Sequence, residues 1–337
     1  MRHPLSSKRF RFPFRRPAAP GAQRATRRSA LRIGGALAAV AVLGTACSST
    51  TSSATTSSST TSSSGSLSSL VPASMRSSGT IIFGSPETNP PQLYLNSSQQ
   101  LTGIDYEFGA AIAKELGLKA KWVNTPFDSL IPAIDAGRID VVLNSMDDTV
   151  AREAELTFVD YEKDGGLLLV ARGDPAGITT LASMCGKSIS LLSGSYQVTL
   201  VQDQQAKCRA AGKPAIAAQQ FESVADAILA VQSGRADAFF ASLGGAIYHQ
   251  VTAPNTFSIP PHTLVYAPGP IGAAVLKGDT KLAKAVQKAF QLMYTDGTYA
   301  KILKKFKYSQ GGYTSVSQFT INGGDTFHLS GTEPLSS

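Results

Sequence analysis

An alternation of strands and helices, which begins near residue 80, constrains the fold of this 337-residue chain more than any other feature. Apolar runs bounded by turn residues predict strands at 80–84, 119–123 and 140–144. Apolar residues at helical spacing predict helices at 105–117 and 127–137, each ending in glycine. A β-α-β-α-β order favours a mainly parallel sheet with helices on its faces. The chain is therefore expected to have an α/β fold.

A segment of this pattern occurs twice. FDSLIPAIDAGRIDVV begins at Phe127, and FESVADAILAVQSGRADAFF begins at Phe221. Both contain Phe-acid-Ser, an Ala-Ile pair and Gly-Arg-x-Asp before a strand. Chance similarity between amphipathic helices would explain the match. The alternative is two lobes of like architecture, each directing a strand end toward a shared cleft.

The first 47 residues have the composition of an export signal. They contain ten Lys/Arg residues and no acid, and TRRSALR (26–32) resembles a twin-arginine motif. The apolar run 33–46 is too short to cross a bilayer as a helix. It ends in LGTAC, which resembles the lipobox of bacterial lipoproteins. Residues 1–47 are thus predicted to be a signal peptide with a lipidation site at Cys47, unless Cys47 is incidental to an ordinary signal.

Residues 48–74 are predicted to be a flexible tether. Residues 48–64 are all Ser or Thr except Ala54, a composition with nothing to bury. From residue 48 onward the chain has 21 Lys/Arg and 23 Asp/Glu residues, so its formal charge of +8 belongs to the leader. A nucleic-acid partner is therefore not expected. We expect an extracytoplasmic monomer, held at the outer face of the cell membrane by its N-terminal lipid.

Two cysteines follow the leader, Cys185 and Cys208. In an exported chain such a pair is favoured to form a disulfide, which would stabilise the fold by on the order of 3 kcal/mol for a loop of about 24 residues. Two buried, unpaired thiols are the alternative. The four His residues and these cysteines show no metal-ligand spacing, so neither a metal nor a cofactor is expected.

Six segments between residues 79 and 306 resemble, in order, the extracytoplasmic solute-binding proteins of ABC importers, in the clade that binds polar amino acids (bacterial solute-binding protein family 3). The segments are LTGIDYEFGAAIAKELG, FDSLIPAIDAGRIDVV, SMDDTVAR, CGKSISLLSGS, GRADAFF and LAKAVQKAFQLMYTDGTYAKILKKF. The resemblance implies a two-lobed, type II periplasmic-binding-protein-like fold, in which each lobe is a mixed, mainly parallel sheet flanked by helices. It implies lobe 1 at 75–172 and 265–310, lobe 2 at 173–264, and a C-terminal extension at 311–337.

The same resemblance implies a binding protein rather than an enzyme. Such a protein captures an amino acid or related zwitterion, here with a polar or cationic side chain favoured, and delivers it to a permease in the membrane. Two alternatives remain. Some secreted cyclohexadienyl or arogenate dehydratases resemble this family, and Glu87 or Asp147 would then supply a general acid. A ligand-sensing partner of a membrane receptor would use the same cleft.

The stretch NSMDDTVAR (144–152) is expected to join a strand to a helix at the cleft. The strand is predicted to end at Leu143, and Thr149 is predicted to cap a helix that holds Arg152 in its first turn. The fork of a guanidinium suits a planar carboxylate, and the resemblance assigns the α-carboxylate of the ligand to Arg152. The alternative is a surface arginine paired with Glu153 or a neighbouring acid.

Departures from the family pattern suggest where the ligand's ammonium is bound. The resemblance places an Asp at position 242, where this chain has Ser242, and Ser or Thr at the position of Asp147. We therefore expect Asp147 to bind the ammonium, unless it is solvated or caps the helix, and we expect Asp148 to be solvated. Ser195 and Tyr196 match the lobe 2 turn that meets the ligand's carboxylate, although Tyr196 replaces a Thr.

Other predicted binding residues lie beside the early strands. Asn89 and Gln92 replace aromatic residues of the family pattern, which favours a polar ligand side chain, and Phe127 keeps an apolar wall. The remaining predicted binding residues are Asn144, Ser145, Thr149 and Glu87. Asp105 is predicted to cap the helix that follows the first strand.

Overall fold

Two long antiparallel strands, β7 (Leu156–Ala171) and β12 (Leu264–Leu276), organise the fold in a computed structural model that describes residues 67–335. The other strands are β1 (Thr80–Ser85), β2 (Thr88–Asn89), β3 (Leu93–Leu95), β4 (Leu101–Thr102), β5 (Lys119–Asn124), β6 (Val141–Asp147), β8 (Ser188–Leu192), β9 (Ala217–Phe221), β10 (Ala238–Ser242), β11 (Phe257–Ser258) and β13 (Thr332–Pro334). The helices are α1 (Ala73–Ser78), α2 (Ile104–Glu115), α3 (Leu130–Asp135), α4 (Val150–Glu153), α5 (Tyr196–Ala210), α6 (Val224–Gln232), α7 (Leu243–Thr252), α8 (Thr280–Thr295) and α9 (Thr298–Lys305).

The main sheet has the strand order β5-β1-β6-β12-β7-β10-β8-β9. β1 pairs in parallel with β5 and β6, and β8 pairs in parallel with β9 and β10. Between these two parallel groups lie the antiparallel strands β7 and β12. Lobe 1 contains β1 to β6 and the first half of β7, and lobe 2 contains the second half of β7 and β8 to β11. The two-lobed fold with mixed sheets is as predicted.

The two long strands connect the lobes. Up to Gly166 β7 pairs with β12, whereas from Gly166 to Val170 it pairs with β10. The register of β12 against β7 shifts between Tyr266 and Gly269, at the same level of the sheet. The passage between lobes therefore lies within β7, several residues before the boundary predicted after position 172.

An aromatic cluster fills the core of lobe 1. The ring of Phe108 lies 5.4 Å from that of Phe290 and 5.7 Å from that of Tyr161, and all three side chains are fully buried. Each such pair contributes about 0.5–1.5 kcal/mol beyond the area it buries. Leu67 and Val71, which were predicted to belong to the tether, are buried in this core as well.

Lobe 2 packs apolar side chains against both faces of its strands. Val231 and Phe239 belong to one buried cluster, and Val201 belongs to another. A disulfide joins Cys185, before β8, to Cys208 in the last turn of α5, at a sequence separation of 23. The predicted pairing of these cysteines is confirmed.

The C-terminal extension, described as far as residue 335, contacts both lobes. In lobe 1, Ile321 forms an antiparallel β-bridge with Val159. Further along, β13 pairs with the first residues of β12, and the ring of Phe327 meets that of Tyr196 edge-on at 5.2 Å. Since Tyr196 begins a helix of lobe 2, the extension runs across the strands that join the lobes.

Two local predictions around the first lobe are wrong. β6 does not end at Leu143 but continues to Asp147, because Met146 and Asp147 pair with β12. Asp105 does not cap α2, because it is the second residue of the helix. Its carboxylate instead accepts a hydrogen bond from the Tyr161 hydroxyl at 2.7 Å. Both errors arise from contacts with strands that are distant in sequence.

Asp148 is fully buried, so the prediction that it is solvated is also wrong. The C-terminal extension covers it, and the N–H of Gly324 donates to the Glu153 carboxylate beside it at 2.8 Å. Burial, together with the charges of Asp160 and Glu153, raises the pKa of Asp148 to about 9. Burial therefore favours the neutral form of this acid over the solvated carboxylate that was expected.

The signal peptide, the lipidation site at Cys47 and the first part of the tether are predictions that lie outside the described residues. Within residues 67–335, none of the helices has the length and apolarity needed to cross a membrane.

Candidate functional site

A cleft lies between the lobes, where β6 and β10 end. Each strand follows one copy of the repeated segment, since α3 precedes β6 and α6 precedes β10. Several residues predicted to bind ligand line the cleft: Asn89, Phe127, Asn144, Ser145, Asp147, Ser195 and Ser242. The repeat therefore brings one polar strand end from each lobe to the same place.

Arg152 lies beside the cleft and contacts both lobes. Thr149 caps α4 as predicted, because its hydroxyl accepts a hydrogen bond from the Arg152 N–H at 3.2 Å. The guanidinium Nη1 donates to the backbone oxygen of Asp147 at 2.9 Å and lies 3.4 Å from the Asp147 carboxylate. Nη2 donates to the backbone oxygen of Gly194 in lobe 2 at 3.3 Å. The guanidinium also stacks over the Phe127 ring at 5.5 Å, so the side chain is fixed from several directions.

Three buried polar atoms, each in a residue that lines the cleft, have no hydrogen-bond partner among the described residues. They are Asn144 Oδ1, Ser145 Oγ and Gln197 Oε1. Leaving such an atom buried and unpaired costs about 1–3 kcal/mol. These atoms therefore favour a ligand that carries hydrogen-bonding groups.

Ser145 is held in place from within lobe 1. Its φ of +46° lies in the left-handed region, which is costly for a residue with a side chain. The Ser145 N–H donates to the Tyr161 hydroxyl at 3.1 Å, and that hydroxyl donates to Asp105 at 2.7 Å. Burial raises the pKa of Asp105 to about 7. The chain of hydrogen bonds positions the hydroxyl of Ser145 at the cleft.

Two carboxyl groups line the cleft, and their surroundings differ. Burial raises the pKa of Asp147 to about 6, partly offset by the charge of Arg152. Burial and the charge of Asp147 raise the pKa of Asp164 to about 8, although backbone N–H groups that include that of Leu243 oppose the shift. The cleft therefore holds two buried acids beside one arginine.

The hydroxyl groups from lobe 2 are used by the protein itself. Ser195 Oγ donates to the backbone oxygen of Leu192 at 2.8 Å. Ser242 Oγ accepts from the N–H of Gly245 at 3.1 Å and so caps α7. Ser242 is therefore the N-cap of α7, and it brings no negative charge to this position.

Besides Arg152 and Thr149, which lie beside the cleft, three predicted residues are not part of its lining. The Tyr196 hydroxyl donates to the backbone oxygen of Tyr266 at 3.3 Å, beside the strands that connect the lobes. Gln92 is buried in lobe 1, where its amide donates to Glu162 at 3.3 Å. Glu87 lies near the end of β1, and its N–H donates to the Asn124 side chain at 3.3 Å.

Asp164 and Gln197 line the cleft but were not predicted. Asp164 directly precedes Gly-Gly and a run of apolar residues within β7, and this acid before a glycine pair was the available signal. Gln197 directly follows Tyr196 in the turn that was identified. Within residues 67–335, no group of three or more His, Cys, Asp or Glu side chains is arranged to hold a metal ion.

A two-lobed α/β fold with a polar cleft beside a fixed arginine defines a solute-binding protein. Residues 81–309 match the model of bacterial extracellular solute-binding proteins, family 3, and the chain belongs to this family. The predicted family is confirmed.

Several relatives share most of the folded region. The chain is 29% identical over 234 residues to the histidine-binding periplasmic protein of Salmonella typhimurium, which covers 67% of this chain and 86% of the relative. It is similar to the structure of an ancestral arginine-binding protein bound to arginine, with 32% identity, a TM-score of 0.61, and coverage of 68% and 98% of the two chains. It is also similar to an ancestral amino acid-binding protein, a precursor of cyclohexadienyl dehydratase, with 28% identity, a TM-score of 0.62, and coverage of 69% and 97%. All three are described as binding proteins.

Proposed function

We propose that this protein captures an amino acid with a polar or cationic side chain in its interlobe cleft and delivers it to an ABC permease. One observation carries the proposal: Arg152 lies beside a cleft whose buried atoms Asn144 Oδ1, Ser145 Oγ and Gln197 Oε1 have no partner among the described residues. Membership of the family supports it, as do relatives described as binding histidine and arginine.

The α-carboxylate of the ligand is assigned to Arg152. A guanidinium has five N–H donors, and the contacts with Asp147 and Gly194 leave others for a ligand. Because the guanidinium is stacked on Phe127, little side-chain freedom is lost when it binds a carboxylate. The contact with Gly194 crosses the cleft, so a ligand at Arg152 would meet both lobes.

The charge of the cleft favours a ligand with an additional positive charge. Asp147 and Asp164 are both buried, and Arg152 is the cation that pairs with Asp147. With both carboxyl groups ionised, one negative charge is left uncompensated by Arg152. An amino acid with a cationic side chain carries one net positive charge and would balance it. Removal of buried charges from water is tolerated only when opposite charges compensate them.

Replacement of Arg152 tests the proposal. We expect the wild-type protein to bind one or more of the twenty amino acids in calorimetric titrations, and Arg152→Ala to lose about 2–5 kcal/mol of binding free energy. Arg138→Ala, which removes an exposed arginine from the same lobe, is the matched control and should bind like the wild type. Failure of the wild type to bind any amino acid would overturn the proposed function.

The proposed working form is a monomer anchored by lipid at Cys47, with the Ser/Thr-rich tether between anchor and cleft. Two acyl chains, at about 0.8 kcal/mol for each buried methylene, suffice for stable anchoring. We expect Cys47→Ser to move the protein from the membrane fraction to the medium. A variant that stays in the membrane fraction would exclude lipidation at this residue.

A further inference from the structure

Asp164 lies where β7 passes from lobe 1 to lobe 2. Its side chain lines the cleft, and the residue is 5% exposed. The carboxylate oxygen Oδ1 accepts the N–H of Leu243 at 2.9 Å, at the start of α7. The Tyr308 hydroxyl lies 3.5 Å from the same oxygen. The carboxyl group is thus fixed at the junction of the lobes by neutral donors.

Asp164 differs from Asp147 in its partners. Asp147 pairs with Arg152 at 3.4 Å, whereas no ion pair to Asp164 occurs in the described part of the chain. A buried carboxylate that lacks a cation is costly, and burial raises the pKa of Asp164 to about 8. A ligand cation placed against Asp164 would remove this cost, whereas Asp147 already has a compensating charge.

The neighbouring polar atoms suit an ammonium group. Asn144 and Gln197 line the same cleft, and their side-chain oxygens Oδ1 and Oε1 are buried acceptors that have no partner within residues 67–335. The Asn144 amide nitrogen is already used, since it donates to Ser85 Oγ at 2.7 Å. An ammonium has three N–H donors and no acceptor, which suits a cleft lined by one carboxyl group without a cation and two amide oxygens without a donor.

We propose that Asp164, rather than Asp147, is the carboxylate that binds the α-ammonium group of the ligand. This inference rests on the proposed function, with the carboxylate of the ligand at Arg152. Asp147 then serves to orient Arg152, through its backbone oxygen at 2.9 Å and its side chain.

The test compares L-arginine with 5-guanidinopentanoate, which keeps the carboxylate and the guanidinium but lacks the α-ammonium. Calorimetric titration of the wild type should show L-arginine binding on the order of 100-fold more tightly. In Asp164→Asn, the affinity for L-arginine should fall by a similar factor. The affinities for the two compounds should then agree to within about threefold. Asp147→Asn is the matched control and should retain the preference.

The outcomes separate this inference from the proposed function. A wild-type protein that binds no amino acid would overturn both. If the wild type binds another amino acid instead of L-arginine, the titrations use that amino acid and its analogue without the α-ammonium group. Retention of the preference by Asp164→Asn, or its loss in Asp147→Asn, would overturn the role of Asp164 alone. If Asp164→Asn does not fold, Asp164→Glu and Asp164→Gln give the same comparison, and the preference should persist only with Glu.

Discussion

Lobe 1 and lobe 2 stabilise their interiors by different means. Lobe 1 buries several carboxyl groups, each no more than 1% exposed: Asp105, Asp148, Asp160 and Glu162. Within residues 67–335, lobe 2 buries no Asp or Glu residue beyond the hinge strands and is instead cross-linked by the disulfide between Cys185 and Cys208. The two lobes should therefore respond to different conditions.

The difference shows how each lobe's stability depends on pH. Burial raises the pKa of Asp105 to about 7, well above that of an Asp in an unfolded chain. Between these two pKa values the folded state binds more protons than the unfolded state. The contribution of Asp105 to the free energy of unfolding is therefore full below about pH 4 and falls as pH rises to about 7. A disulfide has no such dependence.

The largest expected effect comes from Asp105→Asn, which removes this titration and keeps an acceptor for the Tyr161 hydroxyl. At about pH 4 the variant and the wild type should be similar, because both side chains are neutral. At about pH 8 the variant should be more stable by on the order of 4 kcal/mol, since each pKa unit corresponds to about 1.4 kcal/mol. Urea unfolding at both pH values measures this difference. Asp237→Asn, in lobe 2, should not reproduce it, and an equal effect at both pH values would contradict the explanation.

Removal of the disulfide is expected to have the next largest effect. Cys185→Ala combined with Cys208→Ala should lower the free energy of unfolding by about 3 kcal/mol, because the unfolded chain gains conformational freedom. Hydrogen exchange should become faster in lobe 2 more than in lobe 1, and the loss should be the same at about pH 5 and 8. The single-residue variants, as controls, show the effect of losing the bridge with one thiol left. Equal acceleration in both lobes would mean that the bridge does not act locally.

The smallest effect concerns the contact between the C-terminal extension and lobe 2. Phe327→Ala removes the edge-on contact with Tyr196 and should cost about 1 kcal/mol. The exchange rates of β13 and of the start of α5 should rise together, while those of the lobe 1 core stay unchanged. Val316→Ala, at an exposed position of the same extension, is the control. Unchanged exchange in both segments would show that the extension does not connect the lobes.

Local features of the site were predictable because their causes are local. Thr149 caps α4 and places Arg152 in its first turn, which depends on a few adjacent residues. The existence of the strand that leads to Asn144 and Ser145 follows from an apolar run and a preceding helix, although its end does not. The fold class and the disulfide follow in the same way, from the order of periodic segments and from the number of cysteines in an exported chain.

The partners of the acids were decided only by tertiary structure. Asp148 was expected in water, but residues near Gly324 cover it. Asp164 was not predicted at all, because its place in the cleft depends on the start of α7, and Leu243 is 79 residues away in sequence. Asp147 became the partner of Arg152 when β12 extended β6 by pairing with it.

The amino-acid sequence by itself thus determined the fold class, the alternation of strands and helices, the Thr149 cap and the paired cysteines. Only the tertiary structure decided which of the acids are buried and which one pairs with Arg152. The physical reason is that backbone propensity and capping act over one or two turns of chain. The cost of a charge depends instead on all the groups that exclude water from it, and those groups come from distant parts of the chain.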